Sequence, residues 1–419
     1  MALADCKRTM EMCCRCSCCK FIPLERVEGY RYAYVCPSVA RYNLHAYSGG
    51  GRIGMAVGML EHRFEYSDSF LKVLYDCQMC GGCDVSCKYM MDMEVLDPIN
   101  EMRITCVESG RSLPVLDRLR DNLRAKGVMV GTAAENRWAE GLDVPDVEEK
   151  KTKVVYHAGC RTRADQEQWN AARATLALLK KAGVDVGIAR GELCCGGRAY
   201  EMGYKEDFLK AAERKTDQLK RSGAEVVVTG CADCFQALSV LYDRFGVKGG
   251  VEVLHTTEYF NRLIKEGKIR PSKRVEVKVV YHDPCHLGRL GEPYIHWDGR
   301  EIPGHIRLFD PPKELRRGGR GVYDPPREIL TSIPGVKLLE MGRRREYAWC
   351  CGAGGGVAES NPDFAAWTAN ERIEEAFSTG AEALVTACPG CERAFRSSAR
   401  KHGSSMKVFD IAEVLGKAI

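Results

Sequence analysis

The chain has 419 residues, 45% of them hydrophobic, and its 62 basic and 57 acidic side chains leave a net charge of +5. That length suits two or three domains with a real core, and so even a charge balance argues against nucleic-acid binding as the main role. No apolar run nears the roughly 18–20 residues of a membrane span and the N-terminus lacks a secretory core, so the 22 cysteines point to metal in a reducing, cytoplasmic compartment rather than to disulfides.

Residues 1–110 are dense in Cys, Gly, Met and Tyr and form a first unit. Residues 111–152 read as a helix over Leu113 to Lys126, with Leu116, Leu119 and Leu123 on one face, followed by a charged, proline-broken linker from Asp143 to Thr152. From Lys153 strands and helices alternate. Val154-Val155-Tyr156 is a strand ending near Cys160, Trp169 to Lys181 a helix stopped by Gly183, Val184 to Ala189 a strand before Cys194, and Lys205 to Arg221 a long helix before the strand Glu225 to Thr229. The order returns with strands at Val277 to Tyr281 and Val336 to Glu340, a helix from Pro362 to Ser378, and a strand from Ala383 to Thr386. The fold class is therefore α/β, a duplicated unit (153–272 and 273–419) with its cysteines at the C-terminal ends of strands, where open sheets place their sites. The second copy is longer by about 31 residues between Cys285 and Cys350. The surplus lies at about 290–322, rich in Pro, Gly, Arg and aromatics, and reads as a long surface loop.

Two cysteine runs sit in the first unit. Cys77, Cys80, Cys83 and Cys87 follow C-x2-C-x2-C-x3-C, which offers three corners of one [4Fe–4S] cube and a fourth thiolate for a neighbouring one. Within Cys13-Cys14-Arg15-Cys16-Ser17-Cys18-Cys19, only Cys13, Cys16 and Cys19 keep that spacing, and Cys36-Pro37 supplies a further ligand. Two cubes follow: Cys13, Cys16, Cys19 with Cys87, and Cys77, Cys80, Cys83 with Cys36. One cluster beside a zinc knot is the alternative.

The duplicated unit carries two sets of five cysteines: Cys160, Cys194-Cys195-Gly196, Cys231 and Cys234; then Cys285, Cys350-Cys351-Gly352, Cys388 and Cys391. Five thiolates are one more than a cubane or a tetrahedral zinc site uses. Adjacent cysteines can bind neighbouring irons, and the following glycine lets the backbone approach.

Other residues compete with simpler readings. His157, His282 and His286 flank the first cysteine of each set and are candidates to donate protons to a leaving thiolate or to hydrogen-bond cluster sulfur, against packed strand-end histidines. Asp283 shapes the turn at Pro284. Gly49-Gly50-Gly51 reads as a structural loop, Gly352 to Gly356 as a glycine stretch packed on metal, and Arg316, Arg317, Arg320 and Arg343 to Arg345 as solvated surface. Cys6, Cys14, Cys18 and Cys106 are spare.

The repeated C-x(30s)-C-C-G-x(30s)-C-x-x-C pattern, with Tyr281-His-Asp-Pro-Cys285-His-Leu-Gly-Arg289 and Trp349-Cys-Cys-Gly-Ala-Gly-Gly-Gly356, resembles the CCG domains of heterodisulfide reductase. With a two-cluster module in front, nearly the whole chain resembles its D-type subunit. The resemblance implies a mostly α ferredoxin-like domain followed by two tandem, pseudo-symmetric CCG domains. It also implies two cubane and two noncubane [4Fe–4S] clusters, and all ten CCG cysteines as iron ligands. The Cys-x-Arg-Cys-Ser start, the His45 to Gly51 stretch and the insertion with Asp310-Pro-Pro-Lys313 and Gly321 to Arg327 are similar to the D-like subunit of class II benzoyl-coenzyme A reductase complexes. An oxidoreductase subunit of a hetero-oligomer is then expected. It would relay electrons between an HdrA-like FAD-containing flavoprotein and ferredoxin, hydrogenase-like or benzoyl-CoA-reductase-type partners. Two alternatives stand beside it: a disulfide reductase with the CCG centres as active site, and a zinc-stapled scaffold.

Overall fold

The computed structural model describes residues 2–27, 29–91, 93–131, 136–302 and 308–419. The longer helices of the N-terminal region are α1 (Gly49–Leu60), α2 (Asp68–Tyr75), α3 (Gly82–Met90), α4 (Leu96–Glu108) and α5 (Pro114–Lys126). Pro114 at the start and Gly127, at φ +68°, just past the end give α5 the usual asymmetry of helix termini. Helix α1 departs from expectation, because three glycines at its start read as a loop. Ser48 caps it, its Oγ accepting from Gly51 N at 3.0 Å.

The two later units are parallel sheets of the same order. In the first, β1 (Val154–His157) pairs with β2 (Val186–Gly187) and β3 (Val226–Thr229), and β3 with β4 (Glu252–His255). In the second, β5 (Val277–Tyr281) pairs with β8 (Val336–Leu339) and β9 (Ala383–Thr386), and β9 with β10 (Lys407–Asp410). The orders β2-β1-β3-β4 and β8-β5-β9-β10 correspond strand for strand. All four residues of β1 and of β9 are buried, the continuous burial that helices on both faces of a parallel sheet impose. Cys160, Cys231, Cys285 and Cys388 each follow a strand's C-terminal end within a few residues.

Helices α6 (Trp169–Lys181), α7 (Lys205–Ser222), α8 (Thr256–Lys265), α9 (Asp324–Ser332), α10 (Pro362–Ser378), α11 (Pro389–His402) and α12 (Ile411–Lys417) complete the layers. Helix α12 of the second unit packs on α6 of the first, and α9 on α8, so one core with Trp138, Leu179, Val280 and Leu415 spans both. A second core joins Ile53, Met59 and Ile99 to Phe208, Leu219 and Tyr242 of the first unit. The N-terminal region is thus packed into the rest of the molecule.

Two segments differ from expectation. The Asp143 to Thr152 stretch is not a free tether: Val144 and Val147 are buried and Asp146 bridges Ile188 beside β2. Val147 and Thr152 crowd Gly187, which fits the shortening of this strand to two residues. The 290–322 insertion holds an antiparallel pair, β6 (Arg300–Glu301) and β7 (Phe309–Asp310), with residues 303–307 outside the described ones. Its base is pinned inside: buried Glu292 accepts from Gly318 N at 2.7 Å and Arg320 Nε at 3.0 Å.

Candidate metal centres

The loops at Cys13–Cys19 and Cys77–Cys83 share one backbone. Arg15 and Met79 have φ of +56° and +50°, and Ser17 and Gly81 have +69° and +72°. Left-handed backbone is uncommon for residues with a side chain, so two matched pairs fix the register between the loops. Cys13, Cys16 and Cys19 fall on Cys77, Cys80 and Cys83, while Cys14 and Cys18 fall on Gln78 and Gly82. Helix α3 carries Cys83 and, one turn later, Cys87. Burial pushes the Cys87 thiol up, and Asp84 with the thiols of Cys19, Cys13 and Cys16 pushes it further. Cys36 is raised to about 12 by burial, with Arg52 opposing and Cys80 and Cys77 beside it. The thiols beside Cys87 are thus those of the first loop, and those beside Cys36 are of the second.

Helix α1 explains its glycines here. A side chain at Gly49 would stand 3.1 Å from Cys83 Cβ and 3.4 Å from Cys19 Cβ, where the two loops meet. The Gly50 N–H donates to Cys19 Sγ at 3.3 Å, aiming the positive end of the helix at that sulfur. The glycines read from sequence as a structural loop instead pack on the cysteines of both loops.

Each five-cysteine set converges. In the first, Cys194 and Cys160 Sγ lie 3.8 Å apart, and Cys195 bonds Cys194 and Cys234. In the second, Cys391 and Cys351 Sγ lie 3.2 Å apart, and Cys285 bonds Cys350. The Gly196 and Gly352 N–H groups donate to Cys194 and Cys350 Sγ at 3.4 and 3.3 Å, both from left-handed glycines. All ten cysteines are between 1% and 8% exposed. An all-sulfur, buried donor set with amides turned on the sulfurs fits iron–sulfur chemistry.

Three of the four sets touch in series. Cys80 of the second loop bonds Cys350, and that bond leads in pulling the Cys80 thiol down to about 5, with Arg289 and the Gly82 N–H helping against burial. Cys80, Cys285 and Cys350 pack together. Cys231 and Cys388 then join the two CCG sets thiol to thiol.

The glycines after Cys351 also find a different partner from the metal. A Cβ at Gly354 would meet Gln78 O at 2.4 Å, and one at Gly355 would meet Cys77 O at 2.5 Å. They press the CCG loop onto the ferredoxin-type loop. Arg103, fully buried, clamps this seam by donating to the carbonyls of Glu201, Gly355, Leu74 and Cys77.

The three histidines diverge. His286 bonds Cys285 Sγ through Nδ1 at 3.2 Å and Glu201 through Nε2, with Asp233 at 3.6 Å. Burial works against its charge, yet Glu201, Cys285 and Asp233 hold it well above the ordinary histidine range. His282 accepts at Nδ1 from Arg372 Nε at 3.2 Å, which leaves its proton on Nε2; its ligand atom lies within 4.8 Å of those of Cys351 and Cys391. His157 is not brought to a thiol. It lies 3.2 Å from Glu192, whose carboxylate accepts from Ala158 and Gly159 N and shapes the turn into Cys160.

Asp283 takes Arg327 at 2.7 and 3.0 Å and the Arg345 N–H at 2.8 Å, a structural role. Arg343, expected at the surface, is 1% exposed and pairs with Glu375 at 3.0 Å, its guanidinium over Trp349. Sequence reasoning missed Arg103, Glu192, Glu201 and Arg372, whose partners are far along the chain. Arg289 had a signal, as the end of the stretch that opens at Tyr281.

A cavity of about 200 Å³ borders the second CCG set, lined by Arg161, Gly352, Glu359, Gly390 and Arg393 among others.

Comparison with known proteins follows the same division. The cysteine-rich CCG domain family matches residues 154–239 and 279–396. The D subunit of the dihydromethanophenazine:CoB–CoM heterodisulfide reductase of Methanosarcina acetivorans is 30% identical over 98% of this chain and 94% of its own length. The EtfAB:quinone oxidoreductase of Syntrophomonas wolfei is 28% identical over 87% of this chain and 49% of its own. The B subunit of the fumarate reductase (CoM/CoB) of Methanothermobacter marburgensis is 27% identical over 82% and 61%. A hypothetical protein from Helicobacter pylori shares the fold at a TM-score of 0.54 and 10% identity, covering 88% of this chain and 67% of that one. No helix among the described residues is long and apolar enough to cross a membrane. Two CCG units of one strand order, both complete in cysteine and joined to a cysteine-rich helical region, together with a relative matched over nearly its whole length, show that the chain belongs to the family of heterodisulfide reductase D subunits, iron–sulfur oxidoreductases.

Proposed function

We propose that the chain is the electron-relay subunit of a cytoplasmic hetero-oligomer, holding two cubane and two noncubane [4Fe–4S] clusters and working between an HdrA-like flavoprotein and further redox subunits. The cubanes would be held by Cys13, Cys16, Cys19 and Cys87, and by Cys36, Cys77, Cys80 and Cys83; the noncubane clusters by the two five-cysteine sets. When bound, these groups supply one-electron chemistry. The observation that carries the reading is the run of thiol contacts from the second ferredoxin-type set through both CCG sets, with Cys80 against Cys350 and Cys231 against Cys388. The protein's own role is to hold the sets at fixed spacing, to keep water from the CCG sulfurs, and to aim amides and charges at them. Cys16 is exposed, so a partner reaches the first set, whose loop meets the second at Gly49.

The cavity beside the second CCG set favours a second reading, in which a thiol or disulfide reacts there. Arg161 and Arg393 of its lining suit an anionic group. We rank it second because about 200 Å³ is below the roughly 300–1,000 Å³ of ordinary ligand pockets.

Rapid-mixing EPR of the anaerobic full chain tests the relay. In Cys80→Ser, with the other three signals intact, reduction of the CCG centres by a donor protein slows at least tenfold. An unchanged rate contradicts the series, and turnover of a disulfide by the isolated chain shifts the assignment to the second reading.

A further inference from the structure

Arg289 stands where the second ferredoxin-type set meets the second CCG set. It is 4% exposed. Its Nε donates to the carbonyl of Cys80, and its Nη1 donates to Glu346 O and Ala348 O at 2.8 Å each. Nη2 is buried with no hydrogen-bond partner. Burial disfavours the charge, but the thiols of Cys80, Cys285 and Cys350 outweigh it and raise the guanidinium's pKa. Those three cysteines belong to two different centres.

The surroundings make room for this side chain and seal it. A Cβ on Gly82 would lie 3.7 Å from Arg289 Cζ, and one on Gly318 would meet Arg289 Cβ at 2.9 Å. Gly318 belongs to the insertion, held over Arg289 by the buried Glu292 carboxylate. A permanent cation fixed away from water acts far more strongly on neighbouring charge than one at the surface. Charges and hydrogen bonds around sulfur ligands are established levers on cluster potential.

We propose that Arg289 is a positioning residue for electron transfer, a shared cation that makes the two centres it separates easier to reduce and keeps their potentials matched. The insertion's base, through Gly318 and Glu292, keeps that cation dry. The inference rests on the four-centre reading above. Arginine is suited to the place because its planar fork spends Nε and Nη1 on backbone carbonyls while the charge stays beside the sulfurs.

The test is an EPR- and absorbance-monitored redox titration of the anaerobically purified full chain, as wild type, Arg289→Met and Arg289→Lys. In Arg289→Met the two flanking centres become at least tenfold harder to reduce relative to the other two, 59 mV or more for a one-electron couple. Arg289→Lys recovers at least half of that shift, because it keeps the charge and loses the fork. Should Arg289→Met fail to load iron, Arg289→Gln carries the same comparison. Equal shifts in the lysine and the neutral variants, a shift spread over all four centres, or none at unchanged iron content would overturn the proposal. Failure of the underlying reading shows separately, as a wild-type chain without four titrating centres.

Discussion

Replacing Arg103 by methionine removes the clamp between the ferredoxin-type loop and both CCG units while filling nearly the same volume. Arg103 is 0% exposed. It donates to Glu201 O, Gly355 O and Cys77 O at 2.8 Å each and to Leu74 O at 3.0 Å. Each charged hydrogen bond is worth about 1.5–3 kcal/mol. Four of them sharing one side chain are not additive, and the carbonyls regain some of the loss by relaxing, so about 5 kcal/mol is a fair net cost. With an unfolding entropy of about 2.1 cal/mol/K per residue, a chain of this length has about 0.9 kcal/mol/K, and Tm falls by about 5–6 °C. Scanning calorimetry under anaerobic conditions measures this, and hydrogen exchange at Gly355 and Cys77 shows where the loss falls. A Tm within about 1 °C of wild type refutes the clamp.

The loop register makes a sharper distinction: Cys14→Ser and Cys18→Ser leave iron content unchanged, whereas Cys16→Ser lowers it by about four irons per chain; equal losses from all three would break the register. Asp410 caps α12, accepting from Ala412 N at 2.8 Å, and burial raises its pKa from 3.8 to about 8. The folded state thus keeps a proton that the unfolded chain gives up, so this contribution is complete below about pH 4 and is lost as pH rises towards 8. Asp410→Asn keeps the cap and flattens the fall of Tm between pH 5 and 8; an unaltered slope counts against it. Gly354→Val drives a Cβ into Gln78 O, destabilises the chain by about 1–3 kcal/mol, and slows electron transfer into the CCG centres, as rapid-mixing EPR reads; wild-type rates speak against the seam.

Much of the frame was legible because local pattern and tertiary demand agree. Val277 to Tyr281, Trp169 to Lys181 and Pro362 to Ser378 appear with the bounds that apolar periodicity and glycine or proline punctuation set. The nearness of Cys87 to the first loop and of Cys36 to the second is what the two-cluster pattern and Cys36-Pro37 led one to expect. Helix α1 was not legible, since three glycines are poor helix formers and their reason lies on Cys13, Cys19 and Cys83. Nor was the seam: Gly354, Gly355 and Arg103 are chosen by contacts with Gln78, Cys77 and Glu201, which leave no local signature. Arg343 sits in a basic run that reads as surface, and only Glu375 and Trp349 show why it is buried. His157 and His282 occupy equivalent sequence positions yet meet Glu192 and Cys351, because the turn into Cys160 is held by a carboxylate while Pro284 shapes the one into Cys285.

Iron and zinc analysis of the anaerobically purified full chain tests the central claim most directly. Four complete cysteine sets predict about sixteen irons per chain, the sum of four four-iron clusters, with zinc absent. Stoichiometric zinc with little iron would contradict it.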